Sequence, residues 1–311
     1  MKFGILGDAK IAREKVIPAI RSAGHDVIAL GRRSPDAKAG DPVYDGVVQT
    51  DYDGVLAHPD VDIIYNPLPN HLHVPWSIKA MQADKHVICE KPIALNHGEL
   101  QQLEDAAEAT GRYVYEGFMI RHHPQWKWLP EAPIGRAQGV QIVFAYPTLR
   151  HDNIRNVPEY GGGPLYDIGC YAIMAGILIF GGGPDSITVE MVMDDAHGVE
   201  NFASGLLVWP GNRHLCFSVS SSSALTQAVH VIGTEGAARL EVPFNPIGPT
   251  TGYLMQDGLG PGEAITFPDC DQYALMVGDV VASIEASARP DFAHSRIVTS
   301  CLETMLAHRP G

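Results

Sequence analysis

No two cysteines in this chain are two residues apart, and the five present (Cys89, Cys170, Cys216, Cys270 and Cys301) are odd in number and widely scattered. That pattern excludes a zinc knuckle and a disulfide framework. It fits reduced thiols in a cytoplasm, each serving as a small apolar side chain. Positive charge is also scarce. Against 36 Asp and Glu stand 22 Lys and Arg, a formal net charge of −14, so the basic face that a nucleic acid needs is missing. No apolar run of about 18 residues offers a membrane span. The opening Met1-Lys-Phe-Gly-Ile-Leu-Gly reads as a buried strand entering a glycine turn, not as a secretion signal. Repeats, low-complexity tracts and long linkers are lacking as well. What is there is ordinary globular material: 45% hydrophobic and 19% charged over 311 residues, enough for one large domain or two.

Residues 1 to about 120 alternate short apolar runs with stretches of helical spacing. Lys2–Leu6, Asp26–Leu30, Asp62–Tyr65, His86–Cys89 and Tyr113–Phe118 read as strands, and Ile11–Ala23, His73–Ala83 and Glu99–Ala109 as helices. Asn96, three residues before Glu99, is a capping signature. Near-continuous apolar strands between helices predict a parallel sheet covered on both faces. After Gly139 the pattern changes. Val140–Tyr146, Ile187–Met193, Phe202–Trp209, His214–Ser220 and Val229–Leu240 predict a largely antiparallel sheet. Helices Leu165–Phe180 and Tyr273–Ala288 flank it, and Ser295–Ala307 forms a last helix.

Gly4-Ile-Leu-Gly7-Asp8-Ala9-Lys10-Ile11-Ala12 joins the first strand to the first helix. In that context backbone N–H groups at a helix N-terminus hold a pyrophosphate. The spacing is G-x-A-x-x-A, so Ala9 crowds the place of a second glycine and Asp8 adds a negative charge. A tight turn without ligand would carry the same residues. The second strand sharpens the choice, because Gly31-Arg32-Arg33-Ser34 stands where an NAD enzyme has an acid for the ribose hydroxyls. Two guanidiniums and a hydroxyl suit a 2′-phosphate, although a solvated arginine pair would look alike. NADP is the expected nucleotide and NAD stays open. Candidate contacts are Gly7, Asp8, Ala9, Lys10, Ile11, Arg32, Arg33 and Ser34. The fold class is α/β: an N-terminal Rossmann dinucleotide-binding domain over residues 1–121, then an α+β domain over residues 122–311 on a largely antiparallel open sheet.

Further segments follow in order: Tyr65-Asn-Pro-Leu-Pro-Asn-His-Leu-His73, then His86-Val-Ile-Cys-Glu90-Lys91-Pro92-Ile-Ala, then Gly161-Gly-Gly-Pro-Leu-Tyr-Asp167-Ile-Gly-Cys-Tyr171. Glu116-Gly-Phe-Met-Ile-Arg121-His-His-Pro124 lies between the last two. The ordered set covers residues 1–180 and resembles the glucose–fructose oxidoreductase / inositol dehydrogenase (GFO/IDH/MocA) family. Tyr171 in place of His is similar to the sugar and dihydrodiol dehydrogenase branch. The resemblance implies a second domain for substrate binding and oligomerisation. It also implies that Asn66, Pro67, Leu68, Asn70, His71, Glu90 and Lys91 face the cofactor, with Asn70 and His71 beside the nicotinamide ribose. Arg121 and His122, at the junction, and Arg155 and Tyr160, before the triple glycine, are candidate substrate contacts; polar groups there suit a polyol. His71 and His73 have no Cys or carboxylate beside them, so no metal is expected. Trp126 and Trp128 read either as a stacking surface for a sugar face or as core.

Oxidising a secondary alcohol or hemiacetal needs a base for the hydroxyl proton as hydride leaves carbon. A free Tyr, with pKa about 10, is a poor base at pH 7. A cation at about 4 Å contributes roughly 4 kcal/mol at an effective dielectric near 20, or about three pKa units. Tyr171 is therefore the candidate general acid/base and Lys91 its electrostatic partner. Asp167, at i, i+4 to Tyr171, faces the same side. By resemblance it orients the substrate hydroxyl or holds Lys91. Taken singly, a surface lysine, a buried phenol ring and a helix cap would explain the same three residues.

These residues predict a cytoplasmic NADP-dependent dehydrogenase of a sugar or related polyhydroxy compound, such as an aldose oxidised at C1. Its rivals are a dihydrodiol dehydrogenase, or a sensor of the same fold that binds nucleotide or sugar without catalysis; the presence of both Lys91 and Tyr171 counts against the sensor. Val140, Ile142 and Phe144 alternate onto one face of their strand, as Leu207 and Trp209 do on theirs. With apolar residues on the opposite faces too, the sheet carries more apolar surface than one helix layer covers. A homodimer or larger assembly through this sheet is expected.

Overall fold

The computed structural model describes residues 1–34, 41–147, 151–256 and 260–309. The chain forms two compact units, one of Met1–Met119 with Asp271–Ser295 and the other of Ile120–Cys270 with Arg296–Gly311. In the first, β1 (Lys2–Leu6), β2 (Asp26–Gly31), β3 (Val48–Thr50), β4 (Ile63–Asn66), β5 (His86–Cys89) and β6 (Val114–Glu116) pair in the order 3-2-1-4-5-6, all parallel. Burial along β1, β4 and β5 is nearly continuous, which is why these strands read as apolar runs rather than alternations.

Among the helices that accompany them are α1 (Ile17–Ser22), α2 (Tyr52–Leu56), α3 (His73–Gln82) and α4 (His97–Thr110). Val74, Ala80 and Met81 of α3 and Leu100, Leu103 and Ala107 of α4 share one apolar cluster with Leu6, Ile64 and Val87 of the sheet. Asn96 caps α4, its Oδ1 accepting the Glu99 N–H at 2.9 Å, while Glu99 Oε2 accepts the Leu95 N–H at 2.9 Å. Sequence periodicity passed over β3 and α2. One is three residues long and partly exposed, and the other is about one turn, too short to show a period.

In the second unit, α5 (Pro124–Trp128) precedes β7 (Ala137–Ala145), α6 (Cys170–Phe180), β8 (Ser186–Asp194), β9 (Val199–Trp209), β10 (Arg213–Ser220), β11 (Thr226–Gly233), β12 (Ala237–Leu240), β13 (Thr250–Met255) and β14 (Glu263–Phe267). These strands run 14-13-12-11-7-10-9-8, antiparallel throughout except for the parallel pair β7–β10. The single strand expected over 229–240 is two. The chain reverses between Gly233 and Gly236, whose N–H and C=O close the turn at 2.8 Å.

Val140, Ile142, Phe144, Leu207 and Trp209 are buried on the face of the sheet where α6 packs on β7 and β10. By strand register the other face alternates exposed Val143, Val192, Phe202 and Ile232 with Gln141, Glu190 and Ser204. The stretch Pro158–Phe180, unlike the sequence reading, is long and apolar enough to cross a membrane, but 78% of its apolar window is buried inside the fold. It is a core element here. Cys89, Cys170 and Cys301 are buried, whereas Cys216 is exposed and Cys270 partly so. The small-apolar role therefore describes only the first three.

Two helices end the chain, α7 (Gln272–Glu285) and α8 (Ala293–Leu306). Reading in sequence order set α7 beside the second sheet. Instead its buried side, Tyr273, Met276, Val277, Val280 and Val281, belongs to the first unit and packs on α1. An apolar stripe at helical spacing does not say which sheet it will cover.

Helix α6 comes close to the sheet at Gly176, where a β-carbon would overlap the Trp209 indole and stand 3.0 Å from Leu215 Cδ1. Overpacking of this kind costs about 1–3 kcal/mol. Gly176→Ala should lower the thermal midpoint by roughly 3–10 °C, followed by circular dichroism. An unchanged midpoint would mean that α6 can move off the sheet freely.

Candidate active site

β1 has neighbours on both sides, β2 and β4, so the strand order reverses there. The carboxyl end of such a strand opens onto a crevice. Gly7 lies at that end with φ +89°, which side chains rarely adopt, and its N–H donates to Gly31 O at 2.8 Å. A β-carbon on Gly7 would lie 3.0 Å from Leu68 Cδ2, so the turn and the loop after β4 are in close approach. Asp8, Ala9 and Lys10 lead to Ile11, which starts a wide π-type turn (Ala12–Val16) and has no side-chain cap. Uncapped N–H groups at this end suit a pyrophosphate.

The charge on Asp8 is offset. Arg13 Nη1 donates to Asp8 Oδ1 at 2.5 Å and to its carbonyl at 2.9 Å, and the Tyr44 hydroxyl donates to Oδ1 at 2.7 Å. Arg32 Nη2 stands 3.5 Å from Oδ2. The hydrogen bond to Asp8 makes Arg13 more basic, while burial and then Asp8 push the Tyr44 phenol up. Arg32 Nη1 is buried without a hydrogen-bond partner among the described residues, and the neighbouring Arg33 and Ser34 are exposed. A guanidinium edge of this kind, beside a second cation and a hydroxyl, fits a phosphate ester. Lys10 is exposed and pairs loosely with Glu14 at 3.8 Å. Arg13 and Tyr44 were not foreseen, because nothing in their spacing ties them to Asp8.

β5 runs into Glu90-Lys91-Pro92, with a cis peptide at Lys91–Pro92. Several groups brace this turn. The Tyr65 hydroxyl donates to Glu90 Oε1 at 2.7 Å, and the Glu90 N–H donates to Asn66 O at 3.0 Å. Glu116 accepts the Ile93 N–H at 2.9 Å on one oxygen and the Ser295 hydroxyl at 2.6 Å on the other. Asn66 is fully buried and serves this scaffold: Nδ2 donates to His73 O at 3.0 Å and Ser77 Oγ at 3.1 Å, and Oδ1 accepts the Leu68 N–H at 3.3 Å. Pro67 and Leu68 are buried, whereas Asn70, His71, Glu90 and Lys91 are partly exposed. His73 spans the two loops, Nδ1 lying 2.8 Å from Pro92 O and Nε2 2.8 Å from Leu68 O. A neutral imidazole can donate to only one of these. Burial nevertheless holds the ring pKa down to about 4, against the pull of the two carbonyls and with help from Lys91.

In the second unit, Gly161 (φ +74°), Gly162 and Gly163 (φ +104°) lead to another π-type turn, Leu165–Gly169, which continues into α6. It carries Asp167 four residues before Tyr171. Asp167 Oδ2 accepts from Arg155 Nε at 2.7 Å and from the Tyr146 hydroxyl at 2.8 Å. Asp167, and to a smaller degree Tyr171, makes Arg155 more basic, while burial and then Asp167 push the Tyr146 phenol up. The Tyr171 ring is buried, edge-on to Phe144 at 5.7 Å and 5.4 Å from Phe244. Trp126 completes that cluster 5.9 Å from Phe244 and donates to Pro243 O at 2.7 Å, so it is core and offers no face to a sugar. Trp128 lies 5.5 Å from Phe267.

Thus Arg155 and Asp167 come together, and Tyr171 is near enough to act on Arg155. Tyr160 and Arg121 are exposed and His122 partly exposed. His123 is buried and caps α5, accepting the Gln125 N–H at 3.2 Å. Tyr146 went unnoticed because it follows directly on β7 and reads as one more strand residue. Among the described residues no group of three or more His, Cys, Asp or Glu is placed to hold a metal.

The model of an oxidoreductase family with an NAD-binding Rossmann fold matches residues 1–118, and that of the GFO/IDH/MocA C-terminal domain matches residues 127–239. An uncharacterized oxidoreductase of Rhizobium meliloti is 40% identical over 79% of this chain and 76% of its own length. A D-xylose 1-dehydrogenase (NADP(+)) of Haloferax volcanii is 30% identical over 93% of this chain and 91% of its own. A 3-ketoreductase of Actinomadura kijaniata, solved with NADP and TDP-benzene, superposes with a TM-score of 0.89 at 25% identity over 99% of this chain and 97% of its own.

The depressed pKa of His73 has a definite sign. The unfolded chain binds the proton more readily, so this contribution to stability is complete above pH 6.5 and is lost as pH falls toward about 4. Between pH 7.5 and 5 the loss is about 2 kcal/mol. His73→Gln, though less stable at pH 7.5, should lose correspondingly less over that interval in denaturant melts. Equal pH dependence in the two proteins would show that His73 does not titrate this way.

Proposed function

The chain belongs to the GFO/IDH/MocA oxidoreductase family, and from that premise we propose that it is an NADP-dependent dehydrogenase of a sugar or related polyhydroxy compound, such as an aldose oxidised at C1. The observation that carries the reading is the buried Nη1 of Arg32, without a hydrogen-bond partner among the described residues, which favours a 2′-phosphate over a bare ribose hydroxyl. The first unit's residues fit the nucleotide: the Gly7–Ile11 turn for the pyrophosphate, Arg32, Arg33 and Ser34 for the 2′-phosphate. Bound NADP supplies the hydride acceptor. Tyr171, as phenolate, takes the hydroxyl proton while that carbon gives up its hydride, and Lys91 is the cation this chemistry calls for. Asp167, fixed by Arg155 and Tyr146, accepts a hydrogen bond from a substrate hydroxyl. Arg121, His122 and Tyr160 are the remaining proposed substrate contacts.

A second reading runs the same groups backwards. The likeness to the 3-ketoreductase favours a ketone substrate, with Tyr171 as the proton donor. The reading also sets the enzyme in the cytoplasm, in keeping with an odd number of widely scattered cysteines.

Nicotinamide absorbance assays on aldoses, polyols and keto-sugars, with NADP and NAD separately, test the proposal. Turnover should prefer NADP. Tyr171→Phe should lower kcat at least about 100-fold with NADP affinity kept. Arg32→Ala should weaken NADP roughly 10- to 100-fold and NAD little. Nucleotide binding without turnover of any substrate would overturn the catalytic reading.

We propose that the outer face of the second sheet, with Val143, Val192, Phe202 and Ile232 exposed, is covered by a second copy of the chain. Light scattering at micromolar concentration should give twice the chain mass or more. A monomer alone would refute this.

A further inference from the structure

Arg309, the last residue described, closes a buried ion pair that none of the roles above uses. Glu200, on β9, is 0% exposed. Arg309 meets it with a fork, Nε donating to Oε2 at 2.9 Å and Nη2 to the same oxygen at 2.5 Å. Nη2 also donates to Gly162 O at 3.0 Å. The other carboxylate oxygen, Oε1, accepts the Leu165 N–H at 3.0 Å. Gly163 approaches so closely that a β-carbon would overlap the carboxylate.

The loop gripped in this way carries the substrate end of the proposed site. The Gly163 N–H donates to Arg155 O at 2.9 Å, and Gly163 O accepts the Asp167 N–H at 3.2 Å. Three successive glycines have no side chain to pack and lose the most freedom on ordering, so the loop has to be held through its backbone groups. A buried charge pair is a poor device for stability alone, since apolar side chains of the same volume do as well or better. A carboxylate that accepts one loop N–H, and a guanidinium that donates to one loop carbonyl, give what apolar side chains cannot.

We infer that Arg309 and Glu200 are positioning residues that clamp the triple-glycine loop, and through it set Arg155, Asp167 and Tyr171 for the substrate. The inference rests on the reading of Asp167 and Tyr171 as the substrate end. Among the described residues, Arg309 and Tyr146 are charged or titratable groups that act on or respond to Glu200, which pushes the Tyr146 phenol up. Burial raises the Glu200 pKa, and Arg309 opposes that rise.

The test compares the full chain with Arg309→Ala, Arg309→Lys and the double variant Arg309→Ala/Glu200→Gln. Hydrogen–deuterium exchange needs no substrate. Amides over residues 153–171 should exchange faster in Arg309→Ala, to an intermediate degree in Arg309→Lys, and faster than in the wild type in the double variant too, which also lacks the hydrogen bond to Gly162 O; peptides of the first unit should not change. With Arg309 gone, Glu200 keeps a raised folded pKa. The deficit in thermal midpoint should therefore be on the order of 5–10 °C at pH 8 and shrink as pH falls toward the ordinary glutamate value. In the double variant, which buries no unpaired charge, any deficit should be the same at both pH values. In turnover, Arg309→Ala should lose roughly tenfold or more in kcat/KM for the sugar, with NADP affinity within about twofold of wild type. Unchanged exchange over 153–171 would overturn the clamp. Faster exchange with unchanged kcat and KM would overturn the positioning role. If the wild type turns over no substrate, the functional reading fails, and the exchange result alone decides the clamp.

Discussion

A carboxylate taken out of water has to be met by a cation or by N–H donors, and the functional ends of both units are arranged around that requirement. Asp8 stands at the turn after β1 because Arg13, Arg32 and Tyr44 surround it. Asp167 is held by Arg155 and Tyr146, and Glu200 by Arg309 and the Leu165 N–H. In a chain with 22 basic residues against 36 acidic ones, four arginines are committed to three carboxylates next to backbone that would otherwise be loose. Guanidinium is the suitable partner, because its fork can hold a carboxylate and still donate to a carbonyl, as Arg13 and Arg309 both do.

The backbone next to these pairs repeats a pattern. At each end a glycine with positive φ, Gly7 or Gly163, precedes a helix that begins with a π-type turn. The glycine allows the chain to reverse direction within van der Waals reach of a neighbour, Leu68 in one case and Glu200 in the other. Asp167 lies in such a turn and Tyr171 just beyond it, four residues on. Local geometry and charge pairing are therefore a single arrangement, since the glycine that permits the approach leaves no side chain to anchor the loop, and the ion pair provides the anchor.

How far such features can be read ahead depends on how local they are. The strands β1 and β5, the Asn96 cap and the ordered motifs show themselves because each is written in consecutive residues. The break between β11 and β12 was also written, in the two glycines of Gly233-Thr-Glu-Gly236, and was overlooked inside an apolar run. The placement of α7 on α1 was not, because its stripe fits either sheet and only the path of the chain decides. Arg13 and Tyr44 at Asp8, Tyr146 at Asp167, and Arg309 at Glu200 are joined across separations of 5, 36, 21 and 109 residues. Pairing of this sort leaves no spacing signature. The candidate residues could be named, but the groups that hold them could not.

Arg155 shows what that omission conceals. From the sequence, Lys91, with an oxidised nicotinamide as a second positive charge, makes a phenol at position 171 acidic enough to exchange a proton, and Arg155 is a substrate contact. The structure sets Arg155 against Asp167 and near enough to Tyr171 that the phenol adds to its basicity. Such an interaction is reciprocal: a guanidinium whose charge is favoured by a phenolate favours that phenolate equally. The Tyr171 ring itself is buried among Phe144 and Phe244, in the same unit as this cation. One charge on Arg155 thus meets the Asp167 carboxylate and stands within electrostatic reach of the phenol four residues further on.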